Sequence, residues 1–148
     1  MDTFISKTPE ETRSLGERWG RVLPAGTVVA LSGDLGAGKT QLVKGMALGL
    51  GSNARVHSPT FTLLNEYGGG RVDLVHIDLY RLDTPEQVIG AGLEGYLDGP
   101  DGITVVEWAE RWYGPNQWRY TAGCLLRKVQ IDILSEMERR IAHEDSGA

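Results

Sequence analysis

The stretch Thr27-Val-Val-Ala-Leu-Ser-Gly-Asp-Leu-Gly-Ala-Gly-Lys-Thr40 decides how this chain folds. Its first part, residues 27–32, is mostly apolar and β-branched, which is typical of a buried strand. The following segment, residues 33–40, fits the pattern G-x-x-x-x-G-K-[ST]. A helical run then extends from Gln41 to about Leu50 and is stopped by Gly51. A strand, a glycine-rich loop and a helix in this order predict a phosphate-binding loop within an α/β domain.

Each part of this loop has a physical reason to hold an anion. Its glycines let the backbone turn tightly and approach a phosphate with no Cβ in the way. The loop amides and the N-terminal end of the following helix then face the anion. Lys39 supplies a charge for the β- and γ-phosphates, and the Thr40 hydroxyl suits Mg²⁺, which prefers oxygen ligands. The predicted nucleotide-binding residues of the loop are Gly33, Asp34, Leu35, Gly36, Ala37, Gly38, Lys39, Thr40 and Gln41.

Helix and strand signals alternate along the rest of the chain. Two segments that open with a hydroxyl N-cap and a proline predict helices over residues 8–23 and 84–97. The other predicted strands are a hairpin of 62–67 and 71–78 around three glycines, a buried strand at 103–106, and a final hairpin of 129–134 and 139–143. Residues 113–128 fit no element. The pattern predicts one P-loop NTPase-like α/β domain over residues 1–148, with a mixed, mostly parallel sheet flanked by helices and carrying β-hairpins.

Two of the apolar strands end in a carboxylate, at Asp78 and at Glu107. Ligands of open α/β sheets bind outside the carboxyl ends of the strands. If both strands run parallel to the first one, the two carboxylates come close to Thr40. There, one or both can complete a magnesium shell or position an attacking water. The candidate catalytic residues are therefore Lys39, Asp78 and Glu107, and the candidate metal ligands are Thr40, Asp78 and Glu107.

Composition excludes several classes of protein. The 148 residues carry a net charge of −5, which disfavours unaided binding of DNA or RNA. Cys124 is the only cysteine, so an intrachain disulfide and a cysteine-rich zinc site are impossible. Its leucine neighbours favour a buried position for it. No apolar run is long enough to span a membrane, and the N-terminus lacks a secretory signal. We therefore expect a cytoplasmic protein.

The sequence favours ATP over GTP as the nucleotide. GTPases typically carry an N-K-x-D motif that reads the base and a D-x-x-G motif, and this chain has neither. The expected cofactors are ATP and Mg²⁺.

Three further features lie near the predicted site. The segment His57-Ser58-Pro59-Thr60 either senses the γ-phosphate, as switch loops do, or simply connects two elements, and the residues leave both readings open. His76 lies on an apolar strand and is interpreted as a hydrogen-bonded core histidine rather than a ligand. Trp108 directly follows Glu107 and is either a core or an interface aromatic.

Four motifs together resemble the TsaE (YjeE) family of bacterial P-loop ATPases. They are the loop at 33–40, Ser58-Pro-Thr-Phe-Thr62, His76-Ile-Asp-Leu-Tyr-Arg-Leu82 and Val106-Glu-Trp108, and the match extends in order over residues 4–112. The resemblance implies a role in threonylcarbamoyl modification of adenosine 37 in tRNAs that read ANN codons. It also implies two partners, TsaB and TsaD. TsaD carries the transfer chemistry, and ATP hydrolysis by this chain resets the TsaB–TsaD assembly between turnovers.

The resemblance also assigns roles by position. It implies that Lys39 binds phosphate and Thr40 ligates magnesium. It makes Asp78 the Walker-B-like aspartate and Glu107 the second carboxylate of the metal site. The remaining implied assignments are the switch residues Ser58, Pro59 and Thr60, Trp108 near the nucleotide, and Thr8 near the adenine. The chain departs from the family pattern at Ala109, where a proline is common, and in its longer segment 113–128.

Three functions remain open at this point. The first is an accessory ATPase whose turnover is weak until partners bind, because neither Arg81 nor Arg111 is an obvious arginine finger. The second is a small-molecule kinase, although the chain lacks an arginine-rich lid. The third is a non-enzymatic interaction module that uses bound nucleotide only to fix its shape.

Overall fold

Seven strands and five helices make up the part of the chain that the computed structural model describes, residues 2–33, 38–53, 55–56, 63–113 and 125–147. The strands are β1 Asp2–Ser6, β2 Val28–Gly33, β3 Leu64–Tyr67, β4 Leu74–Asp78, β5 Ile103–Glu107, β6 Leu125–Ile133 and β7 Arg139–Gly147. The helices are α1 Pro9–Val22, α2 Lys39–Leu50, α3 Pro85–Gly90, α4 Glu94–Leu97 and α5 Glu110–Tyr113. None of the described helices is long and apolar enough to cross a membrane.

All seven strands form one mixed sheet in the order β1-β7-β6-β2-β5-β4-β3. The four central strands, β6, β2, β5 and β4, run parallel, while β7, β1 and β3 pair antiparallel at the two sides. The predicted α/β class, the mixed sheet and both hairpins are confirmed. Because β2, β5 and β4 are parallel neighbours, their carboxyl ends meet at one edge, as the candidate site requires.

Two predicted element boundaries are wrong. The helix predicted over residues 84–97 is two short helices, α3 and α4, because Gly92 takes a left-handed φ of 78° that ends the first of them. The final hairpin is longer than predicted, so residues 125–128 belong to β6 and Tyr113 ends α5. The remainder of the segment that fitted no element, 114–124 with Cys124, lies outside the described residues.

Helices α1 and α2 pack against each other through backbone contacts at four glycines. Gly16 and Gly20 of α1 face the backbone of α2, and Gly45 and Gly49 of α2 face the backbone of α1. A Cβ at any of these positions would overlap a carbonyl oxygen of the opposite helix. The two helices therefore cover one face of the sheet as a close-packed pair, and their apolar side chains form a core with β2, β5, β6 and β7.

Both ends of α1 are fixed by side-chain hydrogen bonds. The Thr8 hydroxyl caps the start of the helix by accepting from the backbone of Glu11 at 3.1 Å, as predicted. At the other end, the Arg71 guanidinium donates to the carbonyl oxygens of Gly20, at 2.8 Å, and Leu23. Arg71 thus joins the end of α1 to the turn between β3 and β4.

Replacing Arg71 by methionine is expected to lower the free energy of unfolding by about 1–2 kcal/mol, because two helix-end carbonyls lose a charged donor. Urea denaturation measures the change. Arg140→Met is the control, since Arg140 pairs with Asp132 at the surface with half of its side chain exposed, and its loss is expected to stay below about 0.5 kcal/mol. Equal losses in the two variants would refute the role of Arg71.

Candidate nucleotide and metal site

The site lies at the carboxyl edge of β2, β5 and β4, where α2 begins. Strand β2 ends at Gly33 and α2 starts at Lys39. Gly38 caps the helix with a left-handed φ of 103°, which suits glycine because it has no Cβ. The structure describes five residues of the predicted loop, Gly33, Gly38, Lys39, Thr40 and Gln41. The other four, Asp34, Leu35, Gly36 and Ala37, lie outside the described residues.

Lys39 points back across the sheet edge. Its Nζ lies 3.1 Å from Oε1 of Glu107 and donates to the carbonyl oxygen of Gly33 at 3.1 Å. Only 14% of its side chain is exposed. The lysine of the loop is thus held between the end of β2 and the end of β5 by an ion pair that is largely withdrawn from water.

Glu107 has a partner on each of its two carboxylate oxygens. While Oε1 meets Lys39, Oε2 lies 2.7 Å from Nε2 of His76, whose side chain is fully buried. Burial opposes ionisation of this carboxyl, but the hydrogen bond and charge of His76 and the charge of Lys39 outweigh it. Together they hold the pKa of Glu107 below its ordinary value. The carboxylate is therefore ionised at neutral pH and has a partner on each oxygen.

Asp78 stands beside Glu107 in the sheet. The two residues are register partners at the ends of β4 and β5, and both are buried. The Asp78 Oδ1 accepts from the backbone of Tyr80 at 2.9 Å, and the Leu79 amide donates to the Glu107 carbonyl at 3.1 Å. The structure therefore brings Lys39, Asp78 and Glu107 to one edge, because the strands that end in the two carboxylates run parallel to β2.

Trp108 belongs to an exposed aromatic group next to the carboxylates. It has a positive φ of 60° and is 39% exposed. Its ring centroid lies 5.3 Å from that of Tyr80, and the Arg111 guanidinium lies 5.1 Å from the Trp108 ring. Arg111 also donates to the carbonyl oxygens of Tyr80 and Leu82 and pairs with Asp83. Trp108 is thus an exposed aromatic rather than a core one.

The contacts by which Arg111 joins Trp108 to the 80–83 loop were not predicted. In the sequence, Arg111 stands out only as an arginine that is not an obvious arginine finger. A signal for this role is present in the sequence. Arg111 lies four residues after Glu107, on the short helix α5 that follows β5, and so comes close to Trp108. The guanidinium is occupied by the 80–83 loop and by the tryptophan ring.

The other predicted residues stand further away or outside the described chain. Thr8 uses its hydroxyl to cap α1, and the first turn of that helix comes close to the loop, since Cγ2 of Thr12 would lie 3.8 Å from a Cβ at Gly38. The implied contact of Thr8 with adenine stays a prediction. The switch residues Ser58, Pro59 and Thr60 lie outside the described residues.

The donor set fits a hard divalent cation. Thr40 is the second residue of α2, and Asp78 and Glu107 end the neighbouring strands β4 and β5. Hydroxyl and carboxylate oxygens are the ligands that Mg²⁺ prefers, together with phosphate oxygens and water. The chemistry of these residues therefore matches the predicted magnesium ion.

The G-x-x-x-x-G-K-[ST] sequence lies between a parallel strand and a helix that begins with lysine and threonine, and a left-handed glycine precedes that helix. Together these features define the P-loop class of nucleotide-binding α/β proteins. Comparison with known proteins narrows the class. A family model described as "Threonylcarbamoyl adenosine biosynthesis protein TsaE" matches residues 6–141, and the chain belongs to this family.

Individual relatives agree with the family model. The tRNA threonylcarbamoyladenosine biosynthesis protein TsaE of Nostoc sp. is 49% identical over 114 residues, which cover 75% of this chain and 70% of that protein. The protein of the same name from Aquifex aeolicus is 40% identical over 143 residues, 95% of this chain and 94% of that one. The crystal structure of YdiB from Bacillus subtilis matches 99% of this chain and 86% of its own, with a TM-score of 0.75 and 31% identity.

Proposed function

We propose that this chain binds ATP and Mg²⁺ on the loop from Gly33 to Thr40 and hydrolyses ATP as an accessory protein of tRNA threonylcarbamoyladenosine formation in the cytoplasm. The observation that carries the proposal is the junction of Lys39 with Glu107 at the carboxyl edge of the sheet, beside Asp78. A lysine ammonium, two carboxylates and a helix N-terminus meet at this junction, which supports the proposal. The names of the TsaE relatives support the assignment to tRNA threonylcarbamoyladenosine formation.

Lys39 is the group that has to move when phosphate binds. In the structure, its ammonium has Glu107 and the Gly33 carbonyl as partners. A triphosphate offers more negative charge at the start of α2, where the backbone N–H groups of the first turn also point. Lys39 then exchanges Glu107 for the β- and γ-phosphates, which leaves one carboxylate oxygen of Glu107 for a new partner.

Thr40, Asp78 and Glu107 are the residues that would hold the metal and the water. Mg²⁺, when bound, neutralises charge on the phosphates. The Thr40 hydroxyl and the Asp78 carboxylate would supply oxygen ligands for the ion. Glu107 is placed to accept a hydrogen bond from an attacking water, since its Oε1 faces the region that Lys39 occupies.

Hydrolysis by the chain alone is expected to be slow. Phosphoryl transfer in P-loop proteins depends on a cation that stabilises charge in the transition state, often an arginine. Arg111 is held by the 80–83 loop and by Trp108, so that it does not fill this role without a rearrangement. We propose that binding to a TsaB–TsaD assembly completes the site, and that this assembly rather than the acidic chain holds the tRNA.

Phosphate release from ATP, measured for the chain alone and with TsaB and TsaD added, tests this proposal. We expect slow release by the chain alone and clear stimulation by the pair, with both lost in Lys39→Ala. Turnover of tens per second by the isolated chain would contradict partner gating. Absence of stimulation with ATP still bound would remove the TsaB–TsaD role and leave the nucleotide site.

Glu107→Gln separates hydrolysis from binding. The substitution keeps the size of the side chain but removes its charge, so we expect partner-stimulated phosphate release to fall about 100-fold or more. ATP affinity at saturating Mg²⁺ is expected to stay within about threefold of the original value, because Lys39 and the loop amides remain. Glu86→Gln, an exposed glutamate of α3, is the control. Unchanged phosphate release in Glu107→Gln would favour a non-enzymatic module.

A further inference from the structure

The two oxygens of the Glu107 carboxylate have partners of different kinds. Oε1 meets Lys39 at 3.1 Å, and Lys39 is the group that leaves when phosphate binds. Oε2 meets His76 Nε2 at 2.7 Å, and His76 belongs to a central strand with none of its side chain exposed. After Lys39 turns to a phosphate, His76 is the described contact that still holds the carboxylate.

We propose that His76 is a positioning residue for Glu107. Its Nε2–H fixes Oε2, so that Oε1 is kept as the oxygen that faces Lys39 in the free chain and the metal or attacking water once nucleotide is bound. This inference rests on the proposed function, because it assigns His76 a part in the metal-dependent work of Glu107.

The sheet register explains why the His76 side chain can contact Glu107. His76 pairs with Val105, and Asp78 pairs with Glu107, in the parallel β4–β5 ladder. Side chains two residues apart on a strand share a face, so His76, Asp78, Val105 and Glu107 all lie on the side covered by α1 and α2. His76 therefore sits one step below the sheet edge, and the longer Glu107 side chain folds back onto it.

The hydrogen-bond pattern of the imidazole supports a dedicated contact. An ionised carboxylate only accepts hydrogen bonds, so Nε2 carries the proton. The other ring nitrogen, Nδ1, is buried and has no hydrogen-bond partner among the described residues. A buried polar atom without a partner costs about 1–3 kcal/mol. An apolar residue at position 76 would avoid this cost. Packing of the core alone therefore does not explain why a histidine lies there.

Two amide substitutions of different length test the proposal. His76→Gln places an amide donor near the position of Nε2, whereas His76→Asn has the same chemistry but falls short of Glu107. We expect the Mg²⁺ concentration that half-saturates nucleotide binding to rise about 10-fold or more in His76→Asn, and to stay within about threefold in His76→Gln. ATP affinity in EDTA, which depends on Lys39, is expected to change less than about twofold in both.

A direct spectroscopic readout complements the titration. Nitrogen-15 NMR of the imidazole is expected to show a proton on Nε2, the ring nitrogen that faces Glu107. Thermal unfolding of both variants checks that they fold. A ring protonated at Nδ1 alone would overturn the proposal even if neither variant folded.

The outcomes separate this inference from the function on which it rests. If the original chain binds ATP with a clear Mg²⁺ dependence and His76→Asn behaves identically, His76 has no positioning role and the proposed function stands. If Gln and Asn are equally impaired, the effect is one of core packing and the inference is wrong. If the original chain shows no effect of Mg²⁺, the metal role of Glu107 fails and the inference fails with it.

Discussion

Lys39→Ala is expected to lower the affinity for ATP by about 100-fold or more, the largest effect of any single change in the site. Losing one partner of a close, largely buried charge contact costs about 2–5 kcal/mol, and each 1.4 kcal/mol is about tenfold in affinity. The side chain is 14% exposed and already lies within 3.1 Å of Glu107. Its charge therefore acts on the phosphates with little screening by water.

Isothermal titration calorimetry with ATP and Mg²⁺ measures this loss. Lys44→Ala is a matched control, because Lys44 lies on the same helix but has no ion pair within the described part of the chain. Its affinity is expected to stay within about threefold, as befits loss of a distant, solvent-screened charge. An affinity of Lys39→Ala within that same range would show that phosphate binds elsewhere. Circular dichroism confirms that the variants are folded.

Gly45→Ala is expected to lower the free energy of unfolding by about 3 kcal/mol or more, a large part of the 5–15 kcal/mol typical of a domain. A Cβ at Gly45 would lie 2.8 Å from the Glu17 amide nitrogen and would overlap the Arg13 carbonyl oxygen. Both obstacles are backbone atoms of α1, which cannot move aside as a flexible side chain can. The two helices would have to move apart, which would also disrupt the packing of the core between α1, α2 and the sheet.

A glycine in an uncrowded helix provides the comparison. Gly90 ends α3, and a Cβ there would have no neighbour within 4 Å. Gly90→Ala is expected to be neutral or to stabilise by up to about 1 kcal/mol, since alanine favours helix. Urea denaturation of both variants gives the two free energies. A stable Gly45→Ala protein would mean that the helices do not pack backbone to backbone.

The main features of the fold and site could be predicted because they depend on local sequence. The helix starts at Thr8 and Thr84 follow from capping chemistry, and the loop at 33–40 follows from a motif whose glycines have a direct steric reason. Asp78 and Glu107 could be placed together because each ends an apolar strand. Parallel strands then bring such ends to one edge.

Features that depend on register or on contacts between distant segments escaped prediction. His76 is the hydrogen-bonded core histidine that the sequence indicates, but its partner, Glu107, lies 31 positions away and could be identified only with the β4–β5 pairing known. The glycines at 16, 20, 45 and 49 are spaced four apart within each helix, but their meeting depends on how α1 and α2 cross. Strand β1 was missed because Asp2–Ser6 has little alternation and gains its partner from β7.

A crystal structure of the chain with Mg²⁺ and a non-hydrolysable ATP analogue tests the central claim most directly. The phosphates are expected at the N-terminus of α2, with Lys39 Nζ moved from Glu107 to the β- and γ-phosphates. Mg²⁺ is expected on the Thr40 hydroxyl, with Asp78 or Glu107 bound directly or through water, and His76 still on Oε2 of Glu107. A nucleotide bound away from α2, or a Lys39 that stays on Glu107 beside an occupied loop, would contradict it.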